Sequence, residues 1–183
     1  GQPHAGPDDP PLRLNGAAAE VAAAIWRQCV TDIDGDAVLV SSTDLDGAAA
    51  VYDDPALSLA LVPLLGLCDD EDPVWRSTME FLRSPRYPLW REGRVPGIAA
   101  RTDPTRARLS ALCADLVVNL KDPLARLAAL DLPGGVAAEC YDPATGECSS
   151  PHHAALAGFL AWSLVRVAEP PKKTKVSRRT RRP

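Results

Sequence analysis

Aromatic residues make up only 5% of this 183-residue chain, and a single Met accompanies them. So little aromatic surface leaves few flat faces on which a ring-shaped ligand could stack. Histidine is scarce too, limited to His4, His152 and His153, and none of the cysteines (Cys29, Cys68, Cys113, Cys140 and Cys148) belongs to a C-x-x-C pair. Zinc-site spacing is therefore missing, and no metal or cofactor is expected. No apolar run reaches about 18 residues. The opening GQPHAGPDDPP has the pattern of neither a signal peptide nor a membrane anchor. A cytoplasmic chain with no membrane span is the expectation. Cys29, Cys68 and Cys113 lie among apolar neighbours and read as small core residues. Cys140 and Cys148 bracket an Asp-Pro turn and could close it as a disulfide, although an odd cysteine total without a secretion signal favours a reducing compartment.

What the chain does have is a 46% apolar share, drawn mostly from Ala, Leu and Val, which favours helices over a sheet. The length allows one domain with a real core. Charge is unevenly placed. Residues 170–183 hold seven of the 20 Lys+Arg and no acid, so the body carries 13 basic against 24 acidic groups, a net of −11. The tail, 169–183, is expected to be disordered, because it cannot bury enough surface to offset chain entropy. An acidic body repels phosphate, so a nucleic-acid partner is not expected.

Residues 1–13 are Pro-rich and expected to be irregular. Residues 14–168 are expected to form one helical domain. Its first helix runs from Leu14 to Cys29, with Asn15 as cap and Val21, Ile25 and Trp26 at helical spacing. Two short apolar runs, Ala37–Val40 and Ala48–Tyr52, suggest a small hairpin. Asp32, Asp34 and Asp36 resemble the opening of a calcium loop, but Ala37 and Thr43 stand where Gly and Glu are needed, so they read as turn residues. Pro55–Leu67 reads as a buried helix. Three Asp-Pro pairs then look like capped helix starts: Asp72-Pro73 to Leu82, Asp103-Pro104 to about Leu120, and Asp122-Pro123 to Leu130. A last helix spans His153–Val167, with Phe159, Trp162 and Val165 on its apolar side. About six helices and almost no sheet make the expected class all-α, an arrangement of helical hairpins.

The segment Gly134–Glu147, GGVAAECYDPATGE, places Glu139 after a short apolar run and just before an Asp-Pro-x-x-Gly turn. A carboxylate on a loop between fixed elements can be aimed at a substrate, as acid/base chemistry requires. A lone Glu beside a turn is also a common solvated surface group.

From Ser42 to the last helix, the order of motifs resembles the C-terminal half of the metal-independent α-mannosidases of glycoside hydrolase family 125. The residues that carry the likeness are Asp44-Leu45-Asp46-Gly47, Asp53-Asp54, Pro55 to Leu65 with Pro63-Leu64-Leu65-Gly66, Asp72-Pro73, and Gly135-Val136-Ala137-Ala138-Glu139. The resemblance implies part of an (α/α)6 barrel that removes terminal α-linked mannose with inversion and without a metal. It implies that Glu139 activates water, and it points to Asp9, in the pair Asp8-Asp9, as the general acid. Asp46, Tyr52, Asp53, Trp90, Tyr141 and His153 are the residues expected to face a carbohydrate. Such chemistry needs its two carboxyls about 6.5–9.5 Å apart, one kept protonated and one charged.

The chain departs from that pattern. Ser150-Pro151-His152-His153-Ala154-Ala155 stands where the family places aromatic residues, and Arg101–Arg108 has no aromatic residue. Only about half the helices of a closed barrel are expected, so a missing N-terminal half, a partner chain or a repacked bundle must cover the open faces. Two further readings follow. The Tyr141–Glu147 segment also resembles glucoamylase-like and glycogen-debranching hydrolases, which would keep the role of Glu139 and change the sugar. Alternatively the chain is a catalytically inactive helical interaction module derived from a glycosidase fold.

Overall fold

The computed structural model describes residues 10–44, 46, 49–50, 59–151 and 153–168. Among them are five α-helices and three β-sheets, one of them five-stranded, so the all-α expectation is overturned: the fold is mixed.

Helix α1 (Pro10–Gln28) begins ahead of Asn15, which therefore lies inside the helix rather than capping it. Its Trp26 indole N–H donates to the Leu67 carbonyl at 3.2 Å. Strands β1 (Val30–Ile33) and β2 (Asp36–Leu39) then form an antiparallel hairpin. Asp34 and Gly35 both have positive φ, as a two-residue hairpin turn of the favoured twist requires, and Asp32 Oδ1 accepts the Gly35 N–H at 3.0 Å. Strand pairing thus starts one segment earlier than expected. A second small ladder joins β3 (Ser42–Thr43) to β4 (Ala49–Ala50). The expected helix over Pro55–Leu67 is not formed where it is described, because residues 59–66 run as successive turns.

Helix α2 (Pro73–Leu82) starts as its Asp-Pro pair predicts, with Asp72 Oδ1 accepting the Val74 and Trp75 N–H groups at 2.9 and 3.4 Å. The same dipeptide behaves differently twice more. Asp103 opens not a helix but a strand, and the helix follows only at Leu109; Asp122 precedes a helix yet makes no side-chain cap. The Asp103 carboxylate accepts both the N–H and the hydroxyl of Thr105, a local turn that competes with the helix.

The main sheet is antiparallel, in the order β5 (Trp90–Arg91), β6 (Gly97–Ala100), β7 (Asp103–Arg108), β8 (Ala138–Tyr141) and β9 (Cys148–Pro151). All four residues of β6 are buried, so its alanines, helix formers by propensity, are held extended by packing. Between β7 and β8 the chain forms α3 (Leu109–Val118), α4 (Pro123–Ala128) and a 3₁₀ turn (Pro133–Gly135). Helix α3 is the central beam, with Leu109 to Leu116 all buried, and α5 (Ala154–Ala168) packs against it.

One apolar cluster joins α2, the β1–β2 hairpin and the 59–62 turns around Trp75, Met79 and Tyr87. Another joins α3, β8 and α5 around Leu109, Leu112, Tyr141 and Leu156. Helix α5 presents the expected face only in part: Phe159 is partly buried against both clusters, beside the buried Leu156 and Ser163, while Trp162 and Val165 are 43% and 55% exposed.

A buried ionic network ties these parts together. Asp115 on α3 accepts from Arg83, just after α2, and its Oδ2 accepts from Arg126 of α4 at 2.7 Å. Arg126 also donates to the Pro96 carbonyl at 2.8 Å, anchoring the approach to β6. Among the described residues, no helix is long and apolar enough to cross a membrane.

Candidate functional site

Register on the main sheet aligns three of the polar side chains. Arg108 stands opposite Cys140, and Cys140 opposite Ser149, so these three share one face of the β7–β8–β9 ribbon. Arg106, two residues before Arg108, shares that face. These residues line an open cleft of about 380 Å3, to which β7 contributes Asp103, Arg106 and Arg108, β8 contributes Glu139 and Cys140, and β9 contributes Ser149 and Ser150.

Glu139 sits on strand β8, not on the loop expected from its sequence neighbourhood. Its Oε1 is ion-paired with Arg108 Nη1, and its side chain keeps 38% of its exposure. The carboxylate is thus oriented by a strand and a guanidinium while staying open to the cleft. Arg108 also donates to Thr102 Oγ1 at 3.5 Å. Cys140 Sγ and Ser149 Oγ lie 3.1 Å apart.

Asp103 is the second carboxyl of the cleft. The Thr105 hydroxyl, donating at 2.7 Å, holds it below its ordinary 3.8 against the opposing effect of burial, and the Thr105 and Arg106 N–H groups and the Arg106 charge lower it further. Asp103 is therefore stabilised as a carboxylate, the opposite of what a general acid needs.

The other expected site residues lie elsewhere. Tyr141 is fully buried, its hydroxyl donating to the Pro96 carbonyl at 3.3 Å, and desolvation pushes its pKa up to about 12. Trp90, half-buried on β5, lines a different cleft with Arg83, Glu92 and Lys121. Asp46 is exposed, its N–H donating to Asp44 Oδ1 at 3.0 Å. His153 is exposed at the start of α5, where its Nδ1 accepts the Leu156 N–H at 3.4 Å. Asp9, Tyr52 and Asp53 lie outside the described residues. Of the expected set, Glu139 is the one that the described structure places in this cleft.

Sequence reasoning missed Arg106, Arg108 and Ser149. The signal was the alternation Arg106-Ala107-Arg108, with Ala107 fully buried between two half-buried arginines, but it was absorbed into an expected helix. Cys140 and Cys148 do not bridge. Cys140 faces Ser149 and Cys148 faces Tyr141, so the thiols project from opposite faces, and both are free. Among the described residues, no group of three or more His, Cys, Asp or Glu could hold a metal ion.

No protein-family model matches the sequence, and no curated protein sequence matches it. The fold does have solved counterparts. One is a Streptococcus pneumoniae structure, described as a metal-independent alpha mannosidase in a non-productive complex with alpha-1,6-mannobiose; it matches with a TM-score of 0.71 at 21% identity. The match covers 88% of this chain and 41% of that one, so the likeness is one of fold and extends over less than half of the neighbour.

Proposed function

We propose that this chain is a glycosidase-like domain acting on a carbohydrate, with Glu139 as the base of an inverting, mannosidase-like hydrolysis. The observation that carries the reading is the position of Glu139: a carboxylate fixed by Arg108, open to a cleft, in a fold shared with a metal-independent α-mannosidase. In such a reaction the carboxylate takes a proton from water as the oxygen attacks the anomeric carbon, while an acid on the other side protonates the leaving oxygen. Asp103 is unsuited to be that acid, because its environment favours the charged form. The acid is assigned to a carboxyl outside the described residues, with Asp9 as the candidate in this chain.

The test is hydrolysis of aryl and disaccharide α-mannosides by the wild type and by Glu139→Gln. Loss of about 100-fold or more with the fold intact supports the assignment. Full activity in the variant removes Glu139 from the mechanism.

A second reading, an inactive interaction module, is favoured by helix α5. Its fifteen residues include one charge, Arg166, yet Trp162, Leu164, Val165 and Val167 are all at least 38% exposed. A helix so apolar around its circumference is normally covered. No turnover of any α-mannoside by the wild type, together with concentration-dependent association that Trp162→Glu abolishes, would favour this reading.

A further inference from the structure

The cleft at Glu139 holds one cation that makes no side-chain hydrogen bond or ion pair among the described residues. Arg108 is engaged by Glu139, and Asp103 Oδ1 accepts the Thr105 hydroxyl and N–H, while the Arg106 charge acts on that carboxylate without forming an ion pair. Arg106 remains. It is half-buried and lines the cleft, its guanidinium makes no hydrogen bond or ion pair among the described residues, and its Nη1 is shut off from solvent with no acceptor. A desolvated donor without an acceptor costs about 1–3 kcal/mol, so native structures seldom keep one without a purpose.

The rest of the lining indicates what would satisfy it. Among the described residues no aromatic side chain lines this cleft, so they offer a neutral pyranose no stacking face there. The hydroxyls of Ser149 and Ser150 and the thiol of Cys140 offer small polar contacts. A guanidinium recognises carboxylate and phosphate oxygens in a planar, two-pronged geometry that a neutral hydroxyl cannot match. The acidic body of the chain opposes anions only weakly at this site, since exposed charges beyond about 8 Å are screened at physiological salt.

We propose that the cleft binds a sugar bearing an anionic substituent, a carboxylate or a phosphate, whose oxygens pair with the Arg106 guanidinium. The sugar part rests on the hydrolase reading above; the anionic part rests on Arg106 alone.

The experiment is calorimetric titration of the full chain with mannose, mannose 6-phosphate, glucuronate and inorganic phosphate. At least one charged sugar is expected to bind about tenfold or more tighter than both mannose and inorganic phosphate. Its affinity is expected to fall as salt rises. Arg106→Gln is expected to erase the preference and Arg106→Lys to keep part of it, with circular dichroism confirming that both fold. Equal binding of mannose and the charged sugars, no binding of any probe, or an unchanged preference in Arg106→Gln overturns the inference. Inorganic phosphate binding as tightly as the sugar phosphate also overturns it, leaving an oxyanion site indifferent to sugar. Charged-sugar binding without turnover of any glycoside removes the hydrolase reading alone, whereas mannoside turnover with no preference for charge removes this inference alone.

Discussion

Gly97 and Tyr141 pack so closely that no side chain fits between them. A Cβ on Gly97 would fall inside contact distance of the Tyr141 hydroxyl and 2.8 Å from the Ala107 Cβ. The glycine lets the buried ring lie across β6 and reach the Pro96 carbonyl. Gly97→Ala is expected to destabilise the fold by about 1–3 kcal/mol, the usual cost of forcing a methyl into a packed core. Adding Tyr141→Phe should recover part of that loss by removing the clashing oxygen. Urea unfolding measures both, and a Gly97→Ala protein as stable as the wild type would refute the packing argument.

The Arg83–Asp115–Arg126 network makes a different kind of prediction. All three residues are at most 8% exposed, and the lone carboxylate serves two guanidiniums. Asp115→Asn leaves both cations buried without a counterion and is expected to cost about 3–5 kcal/mol. Replacing all three with apolar residues of similar volume should cost less than Asp115→Asn alone, because the desolvation penalty disappears with the charges. Denaturant midpoints for the two variants decide it.

Alkaline stability follows from two buried acids. Desolvation, aided by the Asp115 charge, pushes the Cys113 thiol up from 9.0 to about 12, and desolvation raises Tyr141 from 10.0 to about 12. Both are neutral in the fold while the unfolded chain releases their protons from its ordinary values upward. Their contribution is complete below pH 9 and is lost as pH rises from there through about 12. Each group steepens the decline by at most about 1.4 kcal/mol per pH unit. Urea titrations at a series of alkaline pH values should show this fall, and Cys113→Ala should delay its onset by roughly a pH unit.

The cysteines supply a covalent test. Because Cys140 and Cys148 project from opposite faces of the β8–β9 pair, mild oxidation of the folded chain should leave them unbridged. Peptide mapping that finds a Cys140–Cys148 bridge in folded protein would contradict the register.

Some of this architecture was legible beforehand because its signals are local. Asp72-Pro73 announces α2, and Asp34-Gly35 is a turn wherever apolar strands flank it. The Asp142–Gly146 turn likewise follows from its own residues, with Gly146 at positive φ and the Asp142 carboxylate accepting the Ala144 N–H at 2.8 Å. The five-stranded sheet was not legible. Its strands are two to six residues long and rich in Ala and Arg, and the β7–β8 pairing that joins its two local parts links residues distant in sequence.

Glu139 shows the division within one residue. The sequence by itself determined that a carboxylate would stand between an apolar run and a tight turn, because apolar burial and turn chemistry act over a few residues. Only the tertiary structure decided that it lies on a strand, held by Arg108 from 31 positions away. The same pairing brought Arg106 into the cleft and sent Tyr141 into the core. Strand register, which assigns each side chain to a face, is fixed by long-range pairing and packing that no local pattern encodes.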